Sequence, residues 1–113
     1  MYQAKIERKP LSVNQAWQGK RFKTDSYKKY EKDLLLILPK TKSKFDGMLR
    51  VELFFAFSST ASDLDNPVKP ILDILQKKLG FDDKQIFELN IRKCIVPKGK
   101  EYLTIIIEPL LPM

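Results

Sequence analysis

At 113 residues the chain has room for one domain, residues 1–113, with a modest core drawn from its 43% of hydrophobic side chains. Its 21 Lys and Arg against 14 Asp and Glu leave a net charge of +7, which favours a polyanionic partner, nucleic acid or an anionic membrane surface, although plain solubility would use the same charge. The single Cys, Cys94, cannot make an internal disulfide, as expected of a protein of the reducing cytoplasm, and the absence of His argues against a histidine-based active site and an ordinary zinc site.

The first stretch, "YQAKIER" at 2–8, alternates weakly and predicts a strand; "MYQAKIERKP" contains no apolar signal core. Residues 9–25 read as a long polar and basic loop. Thr24 or Ser26 can cap a helix in which Tyr27, Tyr30, Leu34, Ile37 and Leu38 recur at helical spacing, and Pro39 ends it. The aliphatic run "LLLIL" at 34–38 is far too short for a membrane span, so no membrane association is expected. "MLRVELFFAF" at 48–57 predicts a buried strand. A second helix, starting at 67 or at 70, carries Val68, Ile71, Leu72, Leu75 and Leu79 on one face and closes at Gly80. "IFELNIRKCIV" and "YLTIIIE", joined by "PKGKE", predict a C-terminal β-hairpin. The order of elements implies an α+β fold, a mixed β-sheet with two helices packed on it.

Charge is unevenly spread. Residues 1–44 hold 12 Lys and Arg against four acids, whereas 45–113 hold nine against ten, and five of those ten acids fall between Asp63 and Asp83. A basic chain with one acidic focus suits a nuclease, whose cations attract phosphate while carboxylates hold a metal. The focus begins with "DLDNPVKP". In extended chain Asp63 and Asp65 face one spot while Leu64 turns toward the core, and the pair lies before a helix that Asn66 can cap and Pro67 can open. Acids in that position also serve as plain helix caps. Lys69 can stabilise charge on a phosphate or simply pair with Asp73 at i+4, and Asp82 and Asp83 in "GFDDKQI" also suit a turn. Glu7 and Lys9 form an E-x-K without a preceding Pro-Asp, which chance explains.

The segment "DLDNPVKPILDILQKKLGFDDKQI" resembles the signature of the RusA-type Holliday-junction resolvases, small endonucleases frequent in phages and prophages. The shared pattern is D-x-D-N-x-x-K, an apolar helix with an Asp, a Gly, then D-D-x-x-[VI]. "PLSVNQAW" looks like the family's N-terminal P-x-S-x-N-x-x-[WY] motif, so nearly the whole chain is covered. The resemblance implies a homodimeric, Mg²⁺-dependent endodeoxyribonuclease (Mn²⁺ being the other hard ion an all-carboxylate site suits) that nicks opposed strands of a four-way DNA junction. It places the metal-binding acids on Asp63, Asp65 and Asp83, with Asp82 beside them, and the catalytic lysine on Lys69. Prolines on both sides of the lysine, Pro67 and Pro70, depart from the pattern. The absence of His removes HNH nucleases, His-based ribonucleases and recombinases with a catalytic His.

Two further expectations concern assembly and substrate. A helix over 67–79 is about 20 Å long at ~1.5 Å per residue, and the four residues after it reach back at most ~13 Å. Asp83 would therefore struggle to join Asp63 and Asp65 within one chain, and a two-fold dimer with antiparallel helices would let it complete the partner's site. DNA contacts are expected from the basic loop: Asn14 lies within the family motif, Lys20, Arg21 and Lys23 can neutralise phosphates, and Trp17 or Phe22 can stack on bases. Trp17 suits a core or interface position equally. The rival from another class is a non-catalytic nucleic-acid-binding phage regulator of the same fold; a metal-stabilised structural domain is a third reading.

Overall fold

The computed structural model describes residues 1–11, 17–18, 22–42, 44–61, 64 and 67–110. Among these, the elements in chain order are β1 (Tyr2–Ile6), β2 (Trp17–Gln18), β3 (Phe22–Lys23), α1 (Asp25–Ile37), β4 (Leu49–Phe57), α2 (Val68–Leu79), β5 (Ile86–Ile95) and β6 (Tyr102–Pro109), with one 3-10 turn at Asp83–Gln85.

Local chemistry accounts for the helices. Thr24 caps α1, its hydroxyl accepting from the Tyr27 N–H at 3.1 Å, and Leu38 ends it one residue before Pro39. Tyr27, Tyr30, Leu34 and Leu38 are buried as the spacing predicts, whereas Ile37 lies at the exposed margin. The second helix starts early: Pro67 precedes Val68, so Lys69 is helical and Pro70 occupies the first turn, where a missing N–H costs no hydrogen bond. Gly80 closes α2 at φ +81°, a conformation open to glycine, with its N–H donating to the Gln76 carbonyl at 2.9 Å.

The sheet order is β1-β6-β4-β5. β4 runs antiparallel to β6 and parallel to β5, and α2 is the crossover that parallel neighbours require. The most apolar strand therefore sits centrally: Leu49, Val51, Leu53, Phe55 and Phe57 are buried on the helix side, and Ala56 is buried on the other. The expected C-terminal pair of antiparallel arms is present as β5 and β6, but β4 lies between them and takes both ladders. Their link, residues 96–101, passes over the end of β4, with the Val96 N–H donating to the Phe57 carbonyl at 2.7 Å. Alternation and turn chemistry fix the direction of two arms, whereas burial decides which strand fills the gap.

Helices and sheet enclose one core. Leu34 from α1, Ile71, Ile74 and Leu75 from α2, and Leu103, Ile105 and Ile107 from β6 are each essentially inaccessible. Each such side chain contributes about 1.5–3 kcal/mol of burial free energy. Lys77 pairs with Glu31 at 2.9 Å and Lys78 donates to the Leu35 carbonyl at 2.7 Å, tying the last turn of α2 to α1. On the open sheet face, Arg50 joins Glu52, Glu88 and Glu108, linking β4 to both neighbours. Within the 9–25 stretch, Trp17 and Gln18 pair antiparallel with Lys23 and Phe22, a short ribbon where a loop was expected. Among the described residues, no helix is long and apolar enough to cross a membrane.

Candidate active site

The site is built along α2 and the turn that follows it. Lys69 projects from the first helical turn and is exposed. At the other end, after Gly80, the buried Phe81 anchors the chain and Asp82 starts the 3-10 turn. Asp83 does not run on past the helix end. Its N–H donates to Gln76 Oε1 at 2.9 Å, while Gln76 Nε2 donates to the Leu72 carbonyl at 3.2 Å, so the glutamine draws the turn back beside the third turn of α2. Lys69, Asp73, Gln76 and Asp83 consequently line one groove of about 260 Å³, floored by Leu72 and Ile91.

Asp82 has a different job. Its carboxylate accepts from the Lys84 N–H at 3.0 Å, and Gln85 Oε1 accepts from the Asp82 N–H at 2.9 Å, a reciprocal capping box. The Lys84 N–H, then a hydrogen bond with the Asp83 side chain, then the Lys84 charge hold Asp82 below the ordinary carboxylate value. Gln85 Nε2 also donates to the carbonyls of Phe45 at 2.7 Å and Gly47 at 3.0 Å. That glutamine fastens the acid-bearing turn to the approach of β4. The two glutamines are positioning residues that the sequence reading did not single out; a Gln three residues after Asp82 is the capping-box spacing and was the available signal.

Asp63, Asp65 and Asn66 lie outside the described residues, so their expected convergence with Asp83 lies there too. Leu64, expected to turn toward the core, is instead 40% exposed. Among the described residues, no three His, Cys, Asp or Glu stand close enough to hold a metal ion. Asp83 and Asp82 are the described part of the expected donor set, and their oxygens suit a hard divalent ion.

Of the expected DNA contacts, Asn14, Lys20 and Arg21 lie outside the described residues, and Trp17 and Lys23 are paired partners in the β2–β3 ribbon. A basic surface that the sequence reading missed is present nearby. Arg8 and Lys9 face Lys29 and Lys32 of α1 across a groove of about 600 Å³, in which Asp33 pairs with Arg8 at 2.7 Å. The i, i+3 spacing of Lys29 and Lys32 marked a basic helix face, but only packing brings the N-terminal segment against it.

No curated protein matches the chain. The family profile described as Endodeoxyribonuclease RusA matches residues 7–108, a span that takes in the strand, helix and turn carrying the groove and reaches the penultimate residue of β6. The chain belongs to the RusA endodeoxyribonuclease family and is an endodeoxyribonuclease of the Holliday-junction resolvase type.

Proposed function

We propose that this chain is a Mg²⁺-dependent, structure-specific endonuclease of the cytoplasm that resolves four-way DNA junctions by paired symmetric nicks, in DNA recombination and repair. The observation that carries this reading is the shared groove of Lys69 and Asp83 in a chain of the resolvase family. Asp63, Asp65 and Asp83, with Asp82 at their side, would hold a divalent ion, Mg²⁺ or Mn²⁺, which would supply Lewis acidity toward the scissile phosphate and an activated water at neutral pH. The chain's own residues do the rest. Lys69 carries its ammonium into the groove and stabilises charge on the phosphate. Gln76 and Gln85 hold Asp83 in place, and the groove of Arg8, Lys9, Lys29 and Lys32, together with Asn14, Trp17, Lys20, Arg21 and Lys23, receives the DNA arms.

The working form is a homodimer. Lys69 and Gln76 are seven residues apart in α2, about 10 Å along the axis at ~1.5 Å per residue. Asp83, drawn beside Gln76, therefore sits at the far end of its own groove from Lys69 and the helix start, and in the dimer the helix-start acids and Lys69 of one subunit meet Asp83 of the other, so that each groove lends its two ends to two sites. The test is incubation with a labelled four-way junction and a linear duplex of the same arms, with Mg²⁺ or EDTA, alongside Asp65→Asn and Asp83→Asn. Paired, Mg²⁺-dependent nicks confined to the junction are expected, lost in both variants and partly recovered when the two variants are mixed. Tight junction binding without nicks would replace this reading with a DNA-binding regulator.

A further inference from the structure

The outer edge of β5 is the largest feature the candidate site leaves unexplained. Ten residues long, β5 is a terminal strand of the sheet, and among the described residues nothing hydrogen-bonds its outer edge. Phe87, Leu89 and Ile95 are 66%, 38% and 45% exposed on it. A long open edge that exposes three large apolar side chains is a template for another strand, and its charges, Glu88, Arg92 and Lys93, are of both signs rather than one repelling set.

The pattern around Asn90 is complementary to itself. Leu89 and Ile91 flank it on the helix side of the sheet, in register with Val51 and Leu53 of β4. Glu88 and Arg92 flank it on the open side, in register with Arg50 and Phe54. If two copies of β5 pair antiparallel with Asn90 on the two-fold axis, Leu89 meets the partner's Ile91 and Glu88 meets the partner's Arg92, each twice. Apolar and opposite-charge cross-strand pairs are the favourable ones. Centring the axis on Ile91 sets Leu89 against Lys93 and Glu88 against Cys94; centring it on Leu89 sets Glu88 against Asn90. Of these three registers, only the one centred on Asn90 keeps both kinds of pair.

We infer that a second copy of this chain occupies the β5 edge, joining the two four-stranded sheets through an antiparallel β5 seam with Asn90 at its centre. This specifies the interface of the dimer proposed above and rests on that reading. It has a consequence for the site. Because β5 is parallel to β4, the seam carries Asp83, three residues before β5, to the end of the sheet where the partner's β4 stops and the partner's α2 begins, with Lys69 in that first turn.

The experiment uses the full chain with Cys94→Ser, so that introduced cysteines report alone. Sedimentation should show a dimer, and Asn90→Cys should form a covalent dimer on mild oxidation. Leu89→Cys and Ile91→Cys should not, since their like pairs are ~8 Å apart in this register, beyond disulfide reach. Arg92→Glu, checked for folding by circular dichroism, should raise the dimer dissociation constant about tenfold by facing two carboxylates with two more. A dimer that crosslinks through Ile91→Cys, or not through Asn90→Cys, overturns the seam and leaves the dimer reading standing. A chain that stays monomeric at every concentration overturns both.

Discussion

Replacing Gln85 with Ala tests whether one amide holds the acid-bearing turn. Its side chain makes three hydrogen bonds: Oε1 accepts from the Asp82 N–H, and Nε2 donates to the carbonyls of Phe45 and Gly47. A net hydrogen bond contributes about 0.5–1.5 kcal/mol, and these groups regain some water when released, so about 0.5–1 kcal/mol each is appropriate. The loss is then about 1.5–3 kcal/mol. At ~2.1 cal/mol/K of unfolding entropy per residue, a chain of this size loses about 4 °C of Tm per kcal/mol, so thermal unfolding by calorimetry should shift down by about 6–12 °C. Junction nicking measured well below that temperature should fall further than the folded fraction explains, because Asp83 rides on the loosened turn. Gln85→Glu separates the terms: it keeps the acceptor for Asp82 but turns a carboxylate oxygen toward two carbonyls, so at pH 7 it should be no more stable than Gln85→Ala. A Gln85→Ala protein melting within ~2 °C of the parent, or a Gln85→Glu protein melting with it, would refute the clamp.

Three other outcomes are expected. Ile74→Ala, which opens a cavity between α2 and the sheet at a fully buried position, should cost about 2–5 kcal/mol in urea unfolding without changing the far-ultraviolet spectrum of the folded state. Asp82 has a folded-state pKa below its ordinary value near 3.8, so its contribution to stability is present above that value and is lost as pH falls through the lower folded-state pKa. The gap in urea midpoint between the parent and Asp82→Ala should accordingly be wider at pH 7 than at pH 3. Replacing Arg8, Lys29 and Lys32 together with Gln should weaken junction binding and reduce the slope of log affinity against log salt by roughly 2–3, at ~0.9 for each phosphate that is no longer neutralised.

Much of this protein was legible before folding. Helical spacing in residues 24–38 and 67–79, the Thr24 cap, the Gly80 stop and the alternation of the last two strands are properties of short stretches, because backbone hydrogen bonding and side-chain periodicity act over a few residues. The acidic and lysine spacing likewise named the family, since that motif lies within one contiguous segment. Tertiary structure alone decided what those stretches meet. Sheet ladders form between generic backbone groups, so nothing local in β5 or β6 states that β4 will stand between them; the burial demand of Leu49–Phe57 does. The fold-back of Asp83 onto Gln76, the reach of Gln85 to Phe45 and Gly47, and the meeting of Arg8 with Lys29 and Lys32 each join residues by side chains that find partners only once the helices are packed. Sequence patterns thus determined the faces of each element, and packing determined which faces share a groove, because contact free energy depends on distance in space rather than along the chain.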